Sequence, residues 1–374
     1  MAISRKITSA IAKKIADKKA IVINGARQVG KTTLLVSLFQ ADSSVLFLNG
    51  DEPDVQKIFE NATSILLKQI IGNNKTLVID EAQRIENIGL KLKLITDSIP
   101  DVKLLVSGSS SLDLANKINE PLTGRKWEYM MHPVSFGEMV EHHGLLDEKR
   151  LIPHRLVYGY YPEVVMNAGN EREILKQLSD SYLYKDILML DRVKKSEKLV
   201  KLLQALAYQI GSQASYTELG QLCGLDSKTV ERYISLLEQC FVIFRLGSFS
   251  RNLRNELKFS RKIYFYDNGI RNALIADFSL AQTRQDIGNL WENFLVSERK
   301  KMNDYNGKWC NSWFWRTTEQ KEIDYLEESD GKISAFEFKW SERTKHKTPK
   351  QFAAAYPDAA LKIITPDNIE EFLL

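Results

Sequence analysis

Short apolar runs, each closed by a polar or acidic residue, recur along the first third of the chain. Residues Ala20 to Ile23 end at Asn24, Val45 to Leu48 at Asn49, Thr76 to Ile79 at Asp80, and Lys103 to Val106 at Ser107. Runs of this length read as buried strands, and the spacing of Leu34, Leu35 and Leu38 places a helix behind the first. Trp127 to Met131 supplies a fifth strand. Strands alternating with helices predict an α/β fold, a parallel sheet flanked by helices.

Beyond Pro133 the pattern is helical and mixed up to about Lys201, interrupted at Gly159-Tyr160-Tyr161-Pro162-Glu163. Tyr216 to Leu222 then reads as a short helix, Gly224-Leu225 as a turn, and Asp226 or Ser227 as the N-cap of a second helix. That helix buries Val230, Ile234 and Leu237 and presents Ser227, Lys228, Glu231, Arg232 and Ser235. A strand from Phe241 to Leu246 follows. Helix, tight turn, helix and strand is the layout of a winged helix-turn-helix. Asp286 to Met302 predicts a further helix with Leu290, Phe294 and Leu295 inward. Two strands, Glu322 to Leu326 and Ile333 to Trp340, flank the hairpin pair Asp330-Gly331.

With 374 residues the chain has room for two or three domains, and the breaks in pattern divide it into 1–200, 201–280 and 281–374. Three cysteines without C-x-x-C spacing exclude a disulfide framework and a zinc ribbon, and predict a reducing, cytoplasmic setting. The five histidines form no zinc-ligand pattern. No apolar run reaches the roughly 18 residues of a membrane span and no signal-peptide pattern is present, so no membrane partner is expected. A net charge of +4 is too small to name a nucleic-acid partner by itself.

Chemistry enters with Gly25-Ala26-Arg27-Gln28-Val29-Gly30-Lys31-Thr32-Thr33, a G-x-x-x-x-G-K-T loop with a strand before it and a helix after. Its glycines let backbone N–H groups wrap phosphates, and the helix N-terminus adds its dipole. Lys31 is expected to reach the β and γ phosphates of ATP, and the Thr32 hydroxyl to ligate Mg²⁺. Asp80, at the end of a buried strand, is placed to hold that magnesium through water, and Glu81 to orient the attacking water. A solvated helix-start carboxylate is the other reading of Glu81. Ser107 or Ser109 is a candidate γ-phosphate sensor, with a plain serine-rich turn as the alternative. Arg125 is a candidate arginine finger or sensor, or else a surface arginine.

This order of motifs resembles the AAA-type ATPases. More narrowly, it is similar to a bacterial and archaeal group of AAA-like ATPases with an extra C-terminal domain of uncharacterised function. The likeness rests on residues 25–33, Val78-Ile79-Asp80-Glu81-Ala82, Ser107-Gly108-Ser109 and Leu122-Thr123-Gly124-Arg125. It extends to Pro133-Val134-Ser135-Phe136-Gly137-Glu138 and Tyr264-Phe265-Tyr266-Asp267-Asn268-Gly269-Ile270. It implies ATP and Mg²⁺ as cofactors and a helical lid after Pro133. AAA-type sites often sit between subunits, so a homo-oligomer with Arg125 acting in trans stands beside action in cis.

Arg245, Arg251, Arg254, Lys258, Arg261 and Lys262, interleaved with Phe249, Leu253, Phe259 and Tyr264, form a basic stretch suited to DNA phosphates. Glu231 opposes phosphate on the would-be recognition face, and a packing or protein-binding role stands beside DNA contact.

Counting outward from Asp330-Gly331 pairs Ser329 with Lys332, Asp324 with Glu337, and Glu322 with Lys339. Alternation puts Asp324, Glu337 and Lys339 on one face and Phe336 and Phe338 on the other. Opposed carboxylates repel unless a cation such as Mg²⁺ lies between them. A one-residue slip would undo the pairing, and a Glu322–Lys339 ion pair is the plainer reading. Asp324 and Glu337-Phe338-Lys339, with Glu292 on the preceding helix, resemble the PD-(D/E)xK nuclease core, with Ile323 where that motif has proline. The resemblance implies a small restriction-endonuclease-like α/β domain. In it Glu292, Asp324 and Glu337 hold Mg²⁺, Lys339 assists water attack, and Arg316 and Lys321 flank the site. The whole reads as an AAA-like P-loop ATPase with a winged-helix module and this third domain, acting on or with DNA. The alternative is a nucleotide-dependent switch that binds a protein partner, its nuclease-like domain inactive.

Overall fold

The computed structural model describes residues 3–40, 42–109, 118, 121–180, 196–249, 261–317, 319–341 and 349–374. They form two compact units, Met1–Pro133 with Gln239–Phe241, and Val134–Glu238 with Val242–Leu374. The break thus falls at Pro133, and the expected boundaries near residues 200 and 280 both lie inside the second unit.

In the first unit, β1 (Ala20–Asn24), β2 (Val45–Asn49), β3 (Thr76–Asp80), β4 (Lys103–Gly108) and β5 (Lys126–Met130) form a wholly parallel sheet. The order is β2-β3-β4-β1-β5. β1 and β3 are buried along their whole length, which is why they read as unbroken apolar runs. Val22, Leu77, Ile79, Leu104 and Val106 of the sheet pack with Val55, Phe59, Leu67, Leu92 and Ile95 of the helices in one core. Parallel strands bring their carboxyl ends to one edge, and there the polar residues Asn24, Asp80 and Ser107 sit. At the other end, Lys103 Nζ donates to the carbonyls of Lys14, Asp17 and Lys19 at 2.8, 2.6 and 2.7 Å, fastening the segment that enters β1.

In the second unit, seven strands form one sheet: β6 (Gln213–Ala214), β7 (Ile243–Ser248), β8 (Arg261–Phe265), β9 (Asn311–Arg316), β10 (Glu322–Ser329), β11 (Lys332–Phe338) and β12 (Ala360–Ile364). The order is β12-β11-β10-β9-β7-β8-β6, antiparallel except at β7–β9 and β11–β12. Helices Tyr216–Cys223 and Ser227–Gln239 meet at Gly224, whose φ of +64° closes the first. Asp226 opens the second by accepting from Thr229 N–H at 2.9 Å, and Val230, Ile234 and Leu237 are fully buried. Strands from either side of residue 280 share the sheet through the pairs Gly247–Trp313 and Ser248–Phe314. The edges of β7 and β9 satisfy each other's backbone groups, so neither is left open.

Two motifs far apart in the chain meet as one joint. Asp267 caps helix Asn268–Leu274 by accepting from Ile270 N–H at 3.1 Å, and also accepts from Tyr160 N–H at 2.6 Å. A Cβ on Gly269 would lie 2.1 Å from the Tyr158 carbonyl oxygen, so that close approach requires glycine. Pro133–Glu138 is likewise structural in part. Ser135 and Glu138 form a capping box on helix Phe136–His143, and Phe136 N–H donates to the buried Glu298 at 2.7 Å.

Glu327 on β10 shows how charge is managed in this unit. Burial alone would raise its carboxyl, but hydrogen bonds and charge from Arg299, with Lys308 and Asn303, hold it at about 2 instead of the ordinary 4.5. A folded value below the unfolded one gives stability that is complete above about pH 4.5 and lost as pH falls toward 2. The shift corresponds to roughly 3 kcal/mol. Glu327→Gln is expected to lower stability at neutral pH and flatten the acid limb of a stability–pH curve measured by urea unfolding. An acid limb as steep as the wild type's would contradict this.

Candidate nucleotide site and carboxylate cluster

From Asn24 at the end of β1 the chain passes through Gly25–Gly30 into helix Lys31–Phe39. Gly30 has a φ of +95°, and a Cβ at Gly25 would lie 2.1 Å from the Met131 carbonyl oxygen, so both glycines are required by geometry. Between them run Ala26, Arg27, Gln28 and Val29, and Thr32 and Thr33 continue the first helical turn. Lys31 is 4% exposed, and its Nζ donates to the carbonyls of Gly25 at 3.0 Å and Ala26 at 2.8 Å. Arg5 braces the loop from outside, donating to the carbonyls of Val29 at 2.7 Å and His132 at 2.6 Å.

The Thr32 hydroxyl donates to Asp80 Oδ2 at 2.6 Å. The Ser107 hydroxyl donates to Asp80 Oδ1 and accepts from Glu81 N–H at 3.2 Å. Glu81 sits in the left-handed region at a φ of 47°, where β3 breaks into a short turn over Ala82–Arg84. Its Oε2 accepts from the Ser109 hydroxyl at 3.1 Å and from the Gln83 amide, which also donates to Ser109 Oγ at 2.8 Å. Thr32, Asp80, Glu81, Ser107 and Ser109 therefore form one polar group beside the phosphate loop. A hydroxyl and a carboxylate are the hard oxygen donors that Mg²⁺ accepts, so Thr32 and Asp80 fit that ion.

Arg125 is not part of this group. It precedes β5 beside the opposite end of β1, where Ala20 N–H donates to its carbonyl at 2.9 Å. The five residues of β1 separate it from the loop, roughly 16 Å at strand rise. Its Nε donates to Asp97 at 2.7 Å. That placement leaves no route to phosphates bound in its own chain. Ser110 and Ser111 lie outside the described residues. Gln83 escaped the sequence reading, although it stands two residues after Glu81; Arg5 carried no signal at all.

In the second unit the hairpin runs in register from Ser329–Lys332 to Tyr325–Phe336. Asp324 Oδ2 accepts from Phe338 N–H at 2.8 Å, and Glu337 accepts from Lys339 Nζ at 2.7 Å. Glu292 accepts from Lys262 Nζ at 2.8 Å and from the Tyr264 hydroxyl at 2.6 Å. Glu322 pairs with Lys262 and, at 3.2 Å, with Arg316, not with Lys339. The reason is local: Glu322 lies opposite Arg316 on β9, while Lys339 N–H bonds to Ile364 beyond the hairpin. Lys321 is exposed.

Burial pushes the Asp324 carboxyl well above its usual range, and the charges of Glu292 and Glu337 add to the effect. Burial lowers Lys262, but the charges of Glu292, Glu322 and Asp324 outweigh it and raise the ammonium above its ordinary value. Among the described residues, no group of three or more His, Cys, Asp or Glu side chains is arranged to hold a metal ion. The expected trio Glu292, Asp324 and Glu337 is instead interleaved with Lys262 and Lys339.

On helix Ser227–Gln239, Ser227, Lys228, Glu231 and Arg232 are exposed, and Ser235 accepts from Arg245 at 3.4 Å. Arg245 is also paired with Glu238. Arg251, Leu253, Arg254, Lys258 and Phe259 of the basic stretch lie outside the described residues.

The first unit has the parallel sheet, glycine loop and acidic strand end of a P-loop fold. Residues 17–140 match the family described as AAA domain. Residues 149–281 and 287–371 match two domains of unknown function, DUF8612 and DUF4143. A Walker-type ATPase of Pyrococcus abyssi shares the fold with a TM-score of 0.51 at 16% identity, over 73% of this chain and 96% of that one. An uncharacterized protein of Mycobacterium tuberculosis is 26% identical over 327 residues, 85% of this chain and 70% of its own. One from Methanocaldococcus jannaschii is 22% identical over 380 residues, 94% of this chain and 83% of its own. No helix among the described residues is long and apolar enough to cross a membrane.

Proposed function

We propose that the protein binds ATP with Mg²⁺, hydrolyses it, and acts on or with DNA. The hydrogen bond of 2.6 Å from Thr32 to Asp80 carries the ATPase reading. It brings two hard oxygen donors from different elements to one point at the mouth of the phosphate loop. Backbone N–H groups of residues 25–31 would take the phosphate oxygens, with Lys31 as the cation of the loop. Thr32 and Asp80 would hold Mg²⁺, which when bound offsets charge on the β and γ phosphates. Glu81 orients the attacking water, and Ser109 stands at the γ-phosphate end. Arg125 acts on the site of a second copy, which makes a homo-oligomer part of this proposal.

The DNA reading draws on the paired helices, their exposed polar face and the β7–β8 ribbon, a winged helix-turn-helix arrangement. A second reading is favoured by Lys262, whose charge occupies the carboxylate cluster. There the cluster is a non-cleaving surface and the ATP site switches binding of a protein partner. With the cluster as a Mg²⁺ site, Asp324, Glu337 and Lys339 would be its catalytic set.

Phosphate release by wild type and Lys31→Ala, each with and without plasmid and single-stranded DNA, tests the proposal. Lys31→Ala is expected to lose about 100-fold or more, and DNA to raise wild-type turnover several-fold. Equal turnover in the variant would remove the site, and turnover indifferent to DNA would move the switch reading ahead.

A further inference from the structure

We infer that Gln83 is a positioning residue of the ATP site, coupling Ser109 at the end of β4 to the water-orienting carboxylate of Glu81. The inference rests on the ATPase reading and adds a residue outside the phosphate loop, the magnesium ligands and the base.

The proton inventory carries it. Gln83 Nε2 has two hydrogens, one donated to Glu81 Oε2 and the other to Ser109 Oγ at 2.8 Å. Ser109 in turn donates its single hydroxyl hydrogen to the same Oε2 at 3.1 Å. The triangle closes in one sense only, because the carboxylate accepts and the amide nitrogen donates. That settles which end of the Gln83 amide faces Glu81. Gln83 and Ser109 are 7% and 8% exposed, so solvent has little access to replace either donor.

Glu81 needs such support. Its backbone is in the left-handed region, and its own amide is engaged by Ser107. The side chain therefore takes its direction from the triangle. One carboxylate oxygen is committed to two donors, which sets the direction of the other. A γ-phosphate oxygen that recruits the Ser109 hydroxyl withdraws one of those donors, and Gln83 passes the change to Glu81. The amide never touches substrate; it acts through the two groups it joins.

The test compares wild type, Gln83→Ala, Gln83→Glu, Ser109→Ala and the Gln83→Ala/Ser109→Ala double variant. Readouts are kcat and KM for ATP, binding of a fluorescent ATP analogue, and melting temperature. Gln83→Ala is expected to lower kcat about 10- to 100-fold with KM and analogue binding within about two-fold. The double variant should fall no further than the lower single one, because the two residues act as a unit. Gln83→Glu keeps the shape but replaces both N–H donors with acceptors, so kcat should fall at least as far as in Gln83→Ala with analogue binding within about two-fold. A packing role alone would move melting temperature and leave kcat within about two-fold, and Gln83→Glu decides the matter should Gln83→Ala fail to fold.

A kcat for Gln83→Ala within two-fold of wild type would overturn the inference. So would independent, multiplying losses in the double variant. Wild type without turnover that Lys31→Ala abolishes would overturn the ATPase reading, and this inference with it. Normal wild-type turnover with an indifferent Gln83 would remove the inference alone.

Discussion

Glu81→Gln is expected to bind ATP as tightly as wild type and to hydrolyse it at least about 100-fold more slowly. The substitution is isosteric, so the effect comes from reversing one hydrogen-bonding group. Glu81 Oε2 accepts from both Ser109 and the Gln83 amide. In the variant only the amide oxygen can satisfy those two donors, which turns the new NH₂ toward the position of water. A donor then stands where an acceptor is needed. Lys31→Ala differs in kind, because it removes the cation of the loop and weakens binding itself. Equilibrium binding of a fluorescent ATP analogue and single-turnover hydrolysis separate the two effects. Turnover of Glu81→Gln within a few-fold of wild type would leave Glu81 as a helix-start carboxylate and nothing more.

Lys262→Met is expected to destabilise the second unit by about 3–5 kcal/mol or roughly 10 °C in melting temperature. Lys262 is 2% exposed and serves Glu292 and Glu322 together. Methionine fills the stem but leaves both carboxylates beside the buried Asp324 without that cation. The loss arises from uncompensated charge, so added Mg²⁺ or Mn²⁺ discriminates between readings of the cluster. Recovery of stability by divalent cations in Lys262→Met, absent in wild type, would mean that Lys262 fills a cation position. Loss without recovery would mark the cluster as an internal ion network. A melting temperature within about 2 °C of wild type would show that the acids are not held by Lys262.

Much of the first unit is local in sequence. A strand, a glycine loop and a helix follow one another between Ala20 and Phe39, so their spacing alone positions Lys31 and Thr32. The hairpin register around Asp330-Gly331 is local for the same reason: a tight turn leaves few ways to pair the residues beside it. The basic stretch was legible only as composition, and part of it lies outside the described residues.

Other features depend on strand order, which periodicity does not encode. Gln83 and Ser109 lie 26 residues apart and meet because β3 and β4 are neighbours. Arg125 looked like a candidate finger in the linear order, yet parallel pairing of β5 with β1 sets it at the far end of the sheet. Lys262 belongs in the linear order to the basic stretch suited to DNA phosphates, yet in the sheet that β7 and β9 join it is buried between Glu292 and Glu322. By itself, then, the sequence determined the phosphate loop, the acidic strand end and the hairpin, because each is specified by residues within a few turns of chain. The tertiary structure alone decided which charges face one another. Long-range electrostatics follows distance in space, and that distance is set by how strands are ordered in the sheet.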